Sequence, residues 1–174
     1  MDDDFGSLTH HDGYITATMQ CDVEASSNDV WRMLTEESER VKWLAEGTIE
    51  LSVGGRAQLD FKDSYVIVDS EVTACETEQL LEFSWSGQDE PLRPIRFELT
   101  PQDDSCHICL KVSIPEDEVV ARSCAGWEAH LTMLQAALAG VSTKFPLDRF
   151  KACRAHFDTE LVRLVMSEGE VVRL

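Results

Sequence analysis

From residue 48 to residue 114 the chain is almost unbroken alternation of apolar and polar side chains, a pattern that a sheet accommodates and a helix does not. Ile49, Leu51 and Val53 lead into Gly54-Gly55, a pair free to take positive φ in a turn. Ala57, Leu59 and Phe61 then alternate with Arg56, Gln58 and Asp60, and Lys62-Asp63-Ser64 makes the next turn. Tyr65 to Ala74 and Leu80 to Ser86 follow, separated by a turn over Glu76 to Gln79. Ile95, Phe97 and Leu99 carry the fifth run after a loop bracketed by Pro91 and Pro94. Cys106, Ile108, Leu110, Val112 and Ile114 carry the sixth, after a turn over Pro101 to Ser105. Runs this short, with a turn every ten residues or so, predict an antiparallel meander.

The flanks set what covers that sheet. Ile15, Ala17, Met19, Cys21 and Val23 predict one more strand. Ser26, with Asp29 three residues on, is a cap for a helical stretch that breaks near Thr35 and ends at Gly47. Pro115 ends the sheet. A long helix over Glu116 to Ala139 places Val120, Cys124, Trp127, Leu131, Leu134 and Leu138 in one stripe, with Gly140 as its stop. Gly126 inside that helix suggests close approach of another backbone. A last helix over Leu147 to Met166 has a stripe of its own in Phe150, Cys153, Phe157, Leu161 and Leu164. The expected class is α+β: a curved antiparallel sheet of about seven strands wrapped around a long helix, plus an extra terminal helix. The division reads as a flexible acidic tail (1–12), one domain (13–140) and a helical extension (141–174).

Fifteen Lys and Arg against 33 Asp and Glu give a net charge of −18. That balance excludes nucleic acid and anionic membrane surfaces as partners, since both need facing cations. No apolar run approaches the ~20 residues of a membrane span, and the opening residues have no basic leader. The chain therefore reads as cytoplasmic. Its six cysteines read as small buried hydrophobes in a reducing compartment.

Four segments carry a resemblance: ASSNDVWRMLTEESERVKWL (Ala25 to Leu44), IELSVGGRAQL (Ile49 to Leu59), VTACETEQLLEFSW with RFELTP (Val72 to Trp85, Arg96 to Pro101), and GWEAHLTMLQAALAG (Gly126 to Gly140). In this order, over about residues 14 to 140, they resemble the activator of heat-shock protein 90 ATPase homologue-like branch of the START-like, helix-grip (SRPBCC) superfamily. The resemblance implies the fold. That superfamily also holds lipid-transfer domains, plant allergens and polyketide cyclases, so it does not imply an activity. Eukaryotic namesakes stimulate the chaperone's ATPase with the help of a further chaperone-binding domain, for which a chain of 174 residues has no room. No catalytic set carries over from the resemblance.

A sheet wrapped around a helix leaves space for a small molecule between the layers. The expected cavity residues are Leu59, Phe61, Leu81, Phe83, Trp85, Ile95, Phe97 and Leu99 from the strands, and Trp127, Leu131 and Leu134 from the long helix. Tyr65 and His130 are the nearest polar groups; His130 lies on the flank of the stripe, where a boundary histidine meets solvent. Cys106-His107-x-Cys109, with Cys124 and His130, has metal-ligand residue types. A strand turns residues 106 and 109 to opposite faces, so no metal and no cofactor is expected. Glu82 and Glu98 alternate with the aromatics and face water. The expected function is binding of an apolar or amphipathic small molecule, lipid-like or polyketide-like. Two rivals stand beside it: a cyclase- or hydrolase-type enzyme acting on such a molecule, and a chaperone-cofactor-like module using the acidic surface. The terminal helix either covers the cavity mouth or forms a homodimer interface.

Overall fold

A computed structural model describes residues 4–62 and 64–171, with side chains assigned through residue 167. The strands are β1 (Ser7–His11), β2 (Tyr14–Val23), β3 (Glu46–Ile49), β4 (Arg56–Phe61), β5 (Val66–Glu76), β6 (Leu80–Ser84), β7 (Pro94–Gln102) and β8 (Ser105–Pro115). The helices are α1 (Ser27–Thr35), α2 (Glu37–Arg40), α3 (Val120–Leu138) and α4 (Leu147–Val171). All strands join one antiparallel sheet in the order β1-β2-β8-β7-β6-β5-β4-β3. The α+β architecture is the one the alternation predicts, with eight strands instead of about seven. Asp63 of the predicted 62–64 turn, residues 1–3 of the predicted tail and the last three residues of the extension lie outside the described residues.

The additional strand is β1, within the stretch that reads as a tail. Asp12 (φ 50°) and Gly13 (φ 79°) both take left-handed backbone, the type I′ geometry that folds one strand straight back on the next. The register then runs from His11↔Tyr14 to Ser7↔Thr18. Phe5, 7% exposed, anchors the start of the strand, with its ring 5.5 Å from His156 and 5.0 Å from the Arg149 guanidinium carbon.

Gly47 does not end a helix. The structure stops α2 at Arg40 and gives Gly47 to β3 with φ 125°. A Cβ there would lie 2.0 Å from the Gln58 carbonyl oxygen, so the glycine permits strand contact. Arg40 explains the early stop. It is fully buried and donates to the carbonyls of Leu34 (3.4 Å), Thr35 (3.0 Å), Ala45 (3.3 Å) and Gly47. One guanidinium thus satisfies acceptors left open at the end of α1 and along the approach to β3. At the other end of α1, the Ser26 hydroxyl accepts from Asp29 N at 3.1 Å, the cap expected from the sequence.

The helices cover one end of the sheet. α1 packs on β7 and β8, α3 on β2, β8 and α1, and α4 on α3 and β1. Cys153 and Phe157 of α4 are fully buried there, and Phe150, Leu161 and Leu164 are partly buried against the same core. The α4 stripe expected as a possible dimer interface is thus occupied by its own chain. Towards β4, β5 and β6 the two layers part. A shift of register between Val72 and Ala74 bends β5 on that side.

Candidate functional site

Where the layers part lies a cleft of about 740 Å³. Phe61 at the end of β4, Val66 at the start of β5 and Trp85 just past β6 form its sheet wall. Gly126, Trp127 and His130 of α3 form the opposite wall. Phe145, before α4, and Phe150, in its first turn, close it from the side. A second hollow of about 600 Å³ shares Phe61, Ser64, His130 and Phe145 with the first, so these residues stand between the two.

The rings form a continuous chain. Trp85 meets Trp127 edge-on at 5.8 Å and 90°, and Phe61 lies 6.5 Å from Trp85. His130 is ringed by Trp127 at 5.9 Å and by Phe61 and Phe145 at 6.0 Å each; Phe145 lies 5.6 Å from Phe150. Beneath them Phe97 joins Trp127 to Trp43, at 6.5 and 6.2 Å. Tilted and edge-to-face pairs of this kind make stiff walls. A glycine belongs in such a wall for the opposite of the expected reason. Gly126 meets no close backbone: a Cβ built on it has no atom within 4 Å, so the missing side chain is cleft space.

His130 is, with Ser64, a polar residue at the junction. Its Nδ1 lies 3.0 Å from the Trp43 carbonyl oxygen. A carbonyl only accepts, so Nδ1 carries the proton and donates. Trp43 is itself held by its indole N–H, which donates to the Met33 carbonyl at 2.8 Å. Burial pushes the His130 pKa below the ordinary histidine range, against the smaller opposing effect of the Trp43 carbonyl. The neutral imidazole therefore presents a bare Nε2 lone pair.

The loop that carries Trp85 is fixed by serines with no obvious sequence signal. Ser84 Oγ accepts from Arg93 N at 2.7 Å and lies 2.9 Å from Ser86 Oγ, which donates to the Pro91 carbonyl at 2.6 Å. Arg93 reaches the cleft rim and donates to both Glu118 oxygens, at 2.7 and 2.9 Å, and to Glu90 at 2.9 Å. Those hydrogen bonds, Glu118 foremost, hold its pKa above the ordinary value. The Trp85 indole nitrogen is buried and has no hydrogen-bond partner among the described residues.

The structure divides the expected cavity set. Phe61, Trp85, Trp127 and His130 come together in the cleft wall. Leu59, Leu81, Phe83, Ile95, Phe97, Leu99, Leu131 and Leu134 are at most 5% exposed and pack in the core cluster instead. Ile95, Phe97 and Leu99 lie on β7, which α1 covers, while Leu59 on β4 and Leu81 and Phe83 on β6 are closed off even though their strands reach the cleft side of the sheet. Tyr65 is 94% exposed: its left-handed backbone (φ 57°) at the β4–β5 turn accompanies a side chain that points to water while Ser64 and Val66 line the cleft. Phe150 belongs to the terminal-helix stripe for which a place over the cavity mouth is one expectation, whereas Phe145 is a cleft residue that sequence reasoning missed, because it lies between helices and outside any repeating pattern.

Cys106, His107 and Cys109 all lie within β8, and the His107 Nδ1 sits 2.8 Å from Asp22. No group of three or more His, Cys, Asp or Glu is placed to hold a metal among the described residues. All six cysteines are free thiols. Burial pushes Cys21 up to about 11 and Cys124 to about 12, and raises Cys153 as well. No helix among the described residues is long and apolar enough to cross a membrane.

A curved, unclosed antiparallel sheet holding a long helix, with an aromatic hollow where the layers part, defines a START-like helix-grip domain. Within that class the chain belongs to the family described as Activator of Hsp90 ATPase homolog 1-like protein, whose pattern matches residues 24–139. No curated protein sequence matches it. Among solved structures it is similar to a conserved protein of unknown function, EF2215 from Enterococcus faecalis, at 23% identity and TM-score 0.77 over 91% of each chain. It is also similar to CalU16 from Micromonospora echinospora, at 16% identity and TM-score 0.73 over 88% of this chain and 94% of that one. DynU16, of the dynemicin biosynthetic locus, matches at 24% identity and TM-score 0.65, over 76% of this chain and 49% of that one.

Proposed function

We propose that this protein binds an apolar or amphipathic small molecule in the cleft between α3 and the β4–β6 end of the sheet. The observation that carries the reading is the contrast between two regions of one core. Eight of the expected cavity residues are packed shut, while Phe61, Trp85, Trp127, Phe145 and Phe150 surround about 740 Å³ of space. That volume falls within the roughly 300–1,000 Å³ usual for small-molecule sites, and aromatic walls suit a flat occupant. The origin of DynU16 in a biosynthetic locus fits a polyketide-like occupant. We assign residues 13–140 as the binding domain and the 141–174 extension as the part that closes the cleft mouth. The free thiols fit a reducing compartment, and we place the protein in the cytoplasm.

The test is fluorescence titration with N-phenyl-1-naphthylamine, a neutral aromatic probe. Saturable enhancement with one site per chain, accompanied by tryptophan quenching, is the expected result. Native mass spectrometry of protein purified from its own host supplies the natural occupant. A linear, unsaturable response to the probe together with a bare chain mass would remove the reading in favour of a protein-interaction module.

A further inference from the structure

The cleft contains one polar atom whose requirements are specific enough to select a ligand. We infer that His130 Nε2 accepts a hydrogen bond from a hydroxyl group on a planar aromatic ligand, so that the protein selects hydroxyaromatic molecules over their donor-less counterparts. This rests on the binding reading above and adds the chemistry of the ligand to it.

The far side of the ring fixes where the imidazole proton sits. The Trp43 carbonyl, 3.0 Å from Nδ1, can only accept, which fixes the proton on Nδ1 and leaves Nε2 as the acceptor of the neutral imidazole. Trp43 is 1% exposed and its own N–H is tied to Met33, so the carbonyl is not free to turn away. Phe61, Trp127 and Phe145 surround the ring at about 6 Å, and none of them makes a hydrogen bond to Nε2. Among the described residues Nε2 has no hydrogen-bond partner, and it is not among the sealed side-chain atoms left without one, which are Trp85 Nε1 and Glu128 Oε2. It therefore meets the space of the two hollows that His130 lines.

The cleft lining also includes Glu90, Arg93, Glu118 and Arg122, but the neighbours of the His130 ring are Phe61, Trp127 and Phe145, and an acceptor among them asks for a donor that brings little else polar with it. A carboxylate cannot supply one. A hydroxyl on a flat ring supplies one proton along the ring plane while its apolar faces lie against Trp85 and Trp127. Protonation of His130, which burial disfavours, would turn the acceptor into a donor and reverse the selection.

The test compares 2-naphthol with naphthalene and 2-methoxynaphthalene, which share its ring system and cannot donate. Wild-type protein is expected to bind 2-naphthol about tenfold more tightly than either, the size of one hydrogen bond to a buried acceptor. In His130→Phe the ratio of 2-naphthol to naphthalene affinity should fall close to one, whatever the change in absolute affinity. Side-chain ¹⁵N spectra of the wild-type protein give an independent readout: the His130 Nε2 resonance should move on addition of 2-naphthol and stay in place with 2-methoxynaphthalene. Equal affinity for all three probes with a stationary resonance overturns the inference and leaves the cleft reading intact. Failure of all three to bind overturns both.

Discussion

Arg149 of α4 donates from Nε (2.8 Å) to one oxygen of Glu128, and a terminal guanidinium nitrogen pairs with the same oxygen at 2.6 Å; Glu128 is a carboxylate of α3 with 6% of its side chain exposed. The other Glu128 oxygen is buried without a partner among the described residues. The pair fixes the terminal helix, and with it Phe150, against the long helix. Removing the cation should leave a buried charge behind. Arg149→Met is expected to lower stability by about 1–3 kcal/mol, less than for a sealed pair because a third of the Arg149 side chain keeps its water. The double variant Glu128→Leu/Arg149→Met should recover most of that loss. Urea denaturation of wild type and the two variants measures both, and an undiminished loss in the double variant would show that the carboxylate is not the source of the cost.

Arg40 makes a sharper demand on side-chain geometry. Its planar fork serves four carbonyls around one bend of the chain. Lysine keeps the charge and cannot span those directions. Arg40→Lys should therefore destabilise nearly as much as Arg40→Met, by about 2–4 kcal/mol, since both leave buried acceptors unpaired. Thermal melts of the two variants side by side would expose the error if lysine proved close to wild type.

Gly126 separates folding from binding. Gly126→Ala places a methyl group in open space on a helix, so stability should rise by up to about 1 kcal/mol with little change in probe affinity. Gly126→Leu extends into the cleft and should cut affinity for N-phenyl-1-naphthylamine at least tenfold while the protein melts no lower than wild type. Retained affinity in a stably folded Leu variant would place the probe elsewhere.

His130 should leave a signature in the pH dependence of stability. The unfolded histidine takes up a proton near its usual pKa of about 6.5, whereas the buried one does so only at lower pH. Between those two points the unfolded state binds more protons, so stability falls as pH falls. His130→Phe removes that contribution, and its stability should decline less steeply than wild type from pH 6.5 downwards. Parallel slopes for the two proteins in urea titrations between pH 7.5 and pH 5 would show that the imidazole is not shielded.

How much of this was legible in the sequence follows from what each element responds to. The strands β4 to β8 repeat side chains every second residue, and the α3 stripe every three or four, so both announce themselves. β1 has no apolar run, only the Asp12-Gly13 pair, whose meaning depends on the two short flanks it joins. The cleft was legible in part. Alternation says which residues face inward, and Leu81, Phe83, Ile95 and Phe97 do; it does not say where two layers separate. That boundary is set by which strands lie under α1 and α3, a consequence of the β8-β7-β6-β5 order. Arg40 gives no signal at all, because its acceptors come from backbone that only the bend brings together.

A sheet that never closes keeps two outer edges, and each is an unpaired ladder on which a neighbouring chain could add a strand. Here the outermost strands are β1, of five residues, and β3, of four, and α4 packs against the first. The longer β5 and β8, of eleven residues each, lie inside. The openness that leaves room for a ligand is thus kept apart from the backbone that would template fibril growth, and lengthening β1 or β3 is the change that would join the two.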